Sequence, residues 1–349
     1  MHFLFVLADT GVPQLTTISQ YFFTAGLFML VMMAWAYLLY TVGSARLAKQ
    51  LATESSSQAT TDQASKVAVA GGSVATLTRS DVVLHEQPDG EQPIALNKRL
   101  LMIGRTGTIL GWLAFLMFVA SQALRTVVTG HAPWSNLYEF SLSFTAALLL
   151  CYLLFEARFH ERVRAWGLYV CLLSLATIGL AVYIGSSYGL IDGTTKLIPA
   201  LQDMPILTVH VGMAIFAYAM FSVAFGAGLI ILIQNGEGQR YAWLPSAEAA
   251  DELAYKAVII GFPLLALNLI LGAYWANYAW GHYWSWDPKE TSALVTWLIY
   301  AVYLHARGIR GWRGNRIGWV LTIGFIATLF TYYGVSFFVP SLHSYATPK

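Results

Sequence analysis

Eight stretches of mostly apolar residues dominate this sequence, at about 20–43, 102–127, 137–156, 166–186, 206–233, 256–275, 290–306 and 317–338. A helix rises about 1.5 Å per residue and a bilayer core is about 30 Å thick, so roughly 20 such residues cross it. The runs are continuous rather than alternating, which excludes a membrane β-barrel. Only 11% of the residues are charged, against about 25% in soluble domains. A water-soluble enzyme, a disordered chain and a collagen-like fibre are thereby excluded. The expected fold is an all-α polytopic membrane protein with about eight transmembrane helices. Gly261 and Pro263 fall inside the sixth span, where neighbouring helices satisfy the freed backbone groups. Met1 to Leu7 is short and apolar without a positive flank, so it does not read as a cleaved signal peptide. Cys151 and Cys171 lie in separate apolar runs without CxxC spacing and read as inert core residues.

Lysine and arginine placement sets the orientation. With both termini on the outer side, 16 of the 20 basic residues fall on the cytoplasmic side. The two shortest inner loops hold Arg158, Arg162 and Arg164, and Arg307, Arg310, Arg313 and Arg316. Such short loops carry most weight in the positive-inside rule. The net charge of +2 offers no global attraction to nucleic acid.

Three regions follow: an outer segment and first span (1–43), a cytoplasmic loop (44–101) and a seven-span core (102–349). The run from Glu54 to Thr61 is polar and poor in aromatics, which predicts disorder. Val82–Leu84 and Ile94–Leu96 suggest a small β-like patch, with His85 as a surface histidine.

The loop at 274–290 is the most unusual. Seven of the thirteen residues from Tyr274 to Trp286 are Tyr or Trp, where the chain-wide 14% would give about two. An interfacial aromatic belt is the simple reading, but no other outer loop is as dense. Continued helical register would place Trp280, Tyr283, Trp284 and Asp287 on one face, a platform for a large flat apolar ligand. Asp287-Pro288-Lys289-Glu290 also reads as a capping box, with Asp287 as N-cap, Pro at N1 and Glu at N3. Asn136-Leu137-Tyr138-Glu139 repeats that signature at the third span.

Ionisable side chains inside membrane spans are costly and usually functional. His210 lies near the outer end of the fifth span, His343 just past the eighth, and His305 within the seventh, about 27 Å deeper than Asp287 at 1.5 Å per residue. Neutral imidazole is a common axial ligand of haem iron, and His210 and His343 flank the aromatic loop. A lone histidine is also compatible with an ordinary hydrogen-bonded or interfacial role. His2, His85, His131 and His160 keep that simple reading, with His131 in reserve, and His282 is notable for its neighbours alone.

The run Trp280-Gly281-His282-Tyr283-Trp284-Ser285-Trp286-Asp287-Pro288-Lys289-Glu290 resembles the WWD signature of haem-handling membrane proteins. With Ser135-Asn136-Leu137-Tyr138-Glu139 and the ordered histidines, most of the chain is similar to the CcsA/ResC-type family of System II cytochrome c synthases. The 44–101 loop is longer than that family's core pattern, which the resemblance would make a lineage-specific, cyanobacterial or plastid-like trait. The resemblance implies haem b as substrate, with His210 and His343 as ligands to its iron at the outer face. It implies that Trp280, Tyr283, Trp284, Trp286 and Asp287 form the haem-binding surface. His305 would belong to a transmembrane haem site whose second histidine lies in a CcsB-type membrane partner. The reaction implied is thioether formation between haem vinyl groups and the CxxCH cysteines of apocytochromes c. The chain would act as part of a cytochrome c synthase complex in a thylakoid or plasma membrane, with its site on the lumenal or periplasmic side. No residue is singled out as a general base, so catalysis would rest on positioning. Two alternatives stay open: a haem exporter or carrier without attachment activity, and a b-type electron-transfer subunit. The latter usually needs more histidines inside the bundle than this chain offers.

Overall fold

The computed structural model describes residues 12–69, 98–191 and 205–343. Among these, every regular element is helical: α1 (Val12–Val69), α2 (Lys98–Thr129), α3 (Leu137–Phe159), α4 (Gly167–Ser187), α5 (Pro205–Ile233), α6 (Ala247–Trp280), α7 (Pro288–Gly308) and α8 (Asn315–Leu329). A single turn, Glu161–Arg164, follows α3, and α8 runs through a π-helical turn, Phe330–Gly334, into Val335–Phe338. All eight expected spans are present as helices. Seven are long and apolar enough to cross a membrane, counting Asn315–Phe338 as one.

The exception is α7. Its 21 residues reach about 31 Å at 1.5 Å each, but it falls short on apolarity. Lys289 and Glu290 stand in its first turn and His305 and Arg307 in its last. Its first turn, with Lys289 and Glu290, faces the site described below, and Arg307 in its last turn pairs with Asp251 at the other end.

The first and sixth spans overrun their expected limits furthest, and α1 does so most. Its 58 residues correspond to about 87 Å, nearly three bilayer cores. Disorder expected from Glu54 is replaced by helix continuing to Val69. No Gly or Pro interrupts residues 44–69, so the membrane span nucleates a helix that only has to propagate. Thr53 and Ser55 hydroxyls donate back to the carbonyls of Lys49 and Leu51. The expected β-like patch at 82–96 and His85 lie outside the described residues, as does His2.

The core is centred on α3 and α5, whose apolar windows are 83% and 78% buried against 28% for α1 and α6. A helix apolar on all sides belongs in the middle of a bundle. Around them α1 packs on α2, α5 on α6, and α8 on both α5 and α7. Stacked rings, Phe221 on Tyr300 at 3.6 Å and Phe225 on Phe325 at 4.4 Å, lock α5 to α7 and α8. Cys151 and Cys171 are buried and free, as expected of core residues.

Buried ion pairs staple the helices at both ends. Glu156 accepts from Arg164 Nε at 2.9 Å and Tyr37 Oη at 2.6 Å, and Asp251 pairs with Arg307 at 2.8 Å. At the other end Arg125 Nε donates to Glu139 at 2.8 Å. Asn136 caps α3, its side chain accepting from Glu139 N–H. Glu139 reaches one residue further back than a capping box requires, to Ser135 N and Oγ.

Candidate functional site

The end of the bundle away from the arginine loops holds a cavity of about 1010 Å³, mouth included, between α3, α5, α6, α7 and the π-helical turn. Specific ligand sites are concave and largely apolar. Here the wall is aromatic and aliphatic, with His210 and His343 both exposed to the same space. Two histidines 133 positions apart in sequence thus meet in one chamber.

His210 stands on α5 and leans on α6. Its Nδ1 lies 2.8 Å from the main-chain carbonyl of Asn268, and the Asn268 side-chain amide donates to the His210 carbonyl at 2.9 Å. The Asn268 side-chain amide also stands 3.0 Å from Nδ1, so the carbonyl and the amide of one residue together hold the ring on α6. The ring lies against Gly272: a Cβ there would stand 2.6 Å from His210 Cε1. Glycine is what allows the imidazole to sit flat on α6.

His343 follows the end of the α8 extension. Its Nδ1–H donates to Asp287 Oδ2 at 2.9 Å. Asp287 also accepts from Leu342 N–H at 2.6 Å and Lys289 N–H at 3.0 Å. It is the N-cap of α7 in a complete capping box, with Glu290 accepting from Asp287 N–H at 3.2 Å. The sequence reading of Asp287 as a cap therefore holds, and the same carboxylate also orients a histidine. Burial pushes the Asp287 carboxyl up, but the His343 and backbone N–H donors outweigh it and hold it below the usual carboxylate range. Burial pulls His343 below its ordinary value even though Asp287 favours the charged form. The pair is a carboxylate beside a neutral imidazole.

The tryptophans divide. Trp280 packs edge-on to His343 at 5.0 Å between ring centroids, and Trp275 packs edge-on to Trp280 at 4.8 Å. Trp280, Trp284 and Trp275 line the cavity. The expected helical register from Trp280 to Asp287 is not formed. Helix α6 ends at Trp280, because Gly281 adopts φ 82° as a left-handed C-cap, and residues 281–287 are irregular. Asp287-Pro288 then starts a new helix. Tyr283 and Trp286 are 58% and 70% exposed and take no part in the lining. Trp286 itself sits at φ 60°, a left-handed conformation that an aromatic side chain rarely adopts.

His305 is exposed on α7, near its far end and outside this cavity. His131 contacts the carbonyl of Ala132 and His282 that of Trp280, each by Nδ1. Neither faces the cavity. Sequence reasoning missed Asn268, Gly272 and Trp275. Asn268 was visible as an amide within an apolar span, where buried polar side chains signal function. Nothing in the sequence marked Gly272.

A family model described as cytochrome C assembly protein matches residues 134–343, from a cavity tryptophan to the cavity histidine of the C-terminal segment. The chain is 36% identical over 263 residues to the cytochrome c biogenesis protein CcsA of Synechococcus sp. (strain CC9605), covering 66% of this chain and 84% of that protein. Over 260 residues it is 35% identical to CcsA of Chlamydomonas reinhardtii, covering 73% and 72%. Over 272 residues it is 32% identical to CcsA of Guillardia theta, covering 71% and 87%. The chain belongs to the cytochrome c assembly protein family and, within it, groups with the CcsA-type proteins that serve cytochrome c maturation.

Proposed function

We propose that the cavity binds haem as substrate and presents it for covalent attachment to apocytochromes c. The single observation that carries this reading is the convergence of His210 and His343 on one aromatic cavity. Each spends Nδ1 on an oxygen acceptor, the Asn268 carbonyl or the Asp287 carboxylate. Both imidazoles are therefore held at Nδ1 by fixed partners, as iron-ligating histidines commonly are. The seat left by Gly272 and the indoles of Trp280 and Trp284 suit a flat macrocycle.

The attachment step adds a cysteine S–H across each vinyl C=C, forming one C–S bond per vinyl. This chain's part is to bind, orient and exclude water. Trp280 and Trp284 cover the macrocycle, and the CxxCH histidine of the incoming apocytochrome replaces His210 or His343 at the iron. The exposed rings of Tyr283 and Trp286 lie outside the haem-contacting surface and stand at the bundle end where the apocytochrome arrives. The positive-inside distribution of lysine and arginine supports an outward-facing cavity, on the lumenal or periplasmic side of a thylakoid or plasma membrane. His305, exposed on α7, is available to a second haem site shared with a CcsB-type partner, in a System II synthase complex.

Visible spectra of the purified chain test this reading. His210→Gly and His343→Gly should each lower haem retention and cytochrome maturation, and added imidazole should restore part of both. Wild-type retention in either variant without imidazole overturns that ligand. Haem bound to the chain and partner together, with no covalent cytochrome formed on co-expression with an apocytochrome, would instead make the protein a carrier.

A further inference from the structure

The cavity wall contains one cation, Lys289, in the first turn of α7. Its Nζ donates to the Ser336 hydroxyl at 3.2 Å and lies 5.9 Å from the centre of the Tyr332 ring. Among the described residues no carboxylate comes within ion-pair distance of it. The two acids nearest in sequence are already engaged. Asp287 accepts from Leu342 and Lys289 N–H and from His343. Glu290 Oε2 accepts from Ser285 N–H and Asp287 N–H. An ammonium in an apolar wall with only a neutral oxygen partner is expensive, and an anion beside it removes that cost.

A cation without a carboxylate partner, in a wall made mostly of rings and aliphatic side chains with Glu290, Asn136, Asn268 and Thr331 among them, suits a ligand that is apolar in its body and carboxylated at its edge.

We propose that Lys289 pairs with a carboxylate of the macrocycle held between His210 and His343, fixing its rotation in the cavity. This rests on the haem reading above and deepens it. Two imidazoles on the iron axis set the plane but leave the macrocycle free to turn about that axis. A charge-assisted contact at the rim removes that freedom, and so decides which edge, carboxylated or vinyl-bearing, faces the mouth. Lys289 is a positioning residue for attachment.

The test compares iron protoporphyrin IX with its dimethyl ester, titrated into the full-length wild-type chain and into Lys289→Gln and Lys289→Arg in detergent. The wild type should bind the free acid at least about tenfold more tightly than the diester, as one desolvated charge-assisted contact allows. Lys289→Gln should lose that preference, while Lys289→Arg keeps most of it. The bis-imidazole absorption spectrum of the bound free acid should not change in either variant. A Lys289→Gln chain that still prefers the free acid to the wild-type extent overturns the assignment, as does a wild type indifferent to esterification. A purely structural lysine would weaken both ligands equally, which also overturns it. Loss of the bis-imidazole spectrum from the wild type itself would instead defeat the underlying haem reading, so the two failures are distinct.

Discussion

Asp287 accepts from the imidazole Nδ1–H of His343 at 2.9 Å and, at the same time, caps α7 through Lys289 N–H at 3.0 Å. One carboxylate thus couples the start of a helix to the orientation of a histidine 56 positions later. Replacing it separates two costs. Asp287→Ala should lower stability by about 1 kcal/mol through the lost cap. It should lower haem affinity by about 10- to 100-fold, because the imidazole loses the acceptor that orients it. Asp287→Ser, which keeps a capping oxygen, should recover most of the stability and little of the affinity. Thermal unfolding and absorbance titration on the same samples read the two separately. Equal recovery of both by serine would refute the coupling.

The same pair sets a pH dependence. His343 is held below its ordinary value of 6.5, first by burial and further by the Lys289 ammonium, with Asp287 and Glu290 opposing. Below pH 6.5 the unfolded chain therefore takes up a proton that the folded chain resists, so this group's contribution to stability is full above that pH and falls as pH drops. Asp287, held below 3.8, acts with the same sign in a lower window. Haem retention, which needs a neutral imidazole, should be level near pH 7.5 and decline toward about pH 5.5. His343→Gln should flatten the stability profile over that range. A wild-type unfolding midpoint that rises on acidification would contradict the assignment.

Gly272 makes a sharper case, because helix propensity and ligand positioning pull in opposite directions. Alanine is favoured over glycine by about 1 kcal/mol in a helix interior. The new methyl would stand 2.6 Å from His210 Cε1, which the imidazole must yield to. Gly272→Ala should therefore keep or raise the unfolding temperature while cutting haem affinity by at least about tenfold, since shifting the ring sacrifices the Asn268 contact that orients it. Unchanged affinity in the variant would show that the position of His210 is not what the cavity depends on.

Much of this was legible in order of physical range. Runs of about twenty apolar residues predict helices because a bilayer leaves the backbone no other way to satisfy its polar groups. The observed helices bracket the expected spans closely, as at Leu137–Phe159 and Pro205–Ile233. The Asp287–Glu290 capping box was legible because its bonds close within four residues. The platform was misread for a related reason. Periodicity was carried through Gly281, whose left-handed φ of 82° ends the helix, so Tyr283 fell on the outside. The disorder expected after Glu54 failed because composition was weighed without the helix already running into that segment.

By itself, then, the sequence determined the helical class, the presence of the spans, the local caps and the residue types available for chemistry, because each follows from interactions within a few turns of chain. Only the tertiary structure decided that His210 and His343 share a chamber, that Asp287 serves one of them, that Gly272 makes room for the other, and that Lys289 faces the same space. Those relationships span tens to hundreds of residues, and packing between α5, α6, α7 and the C-terminal segment creates them. No local pattern encodes which faces of those helices meet.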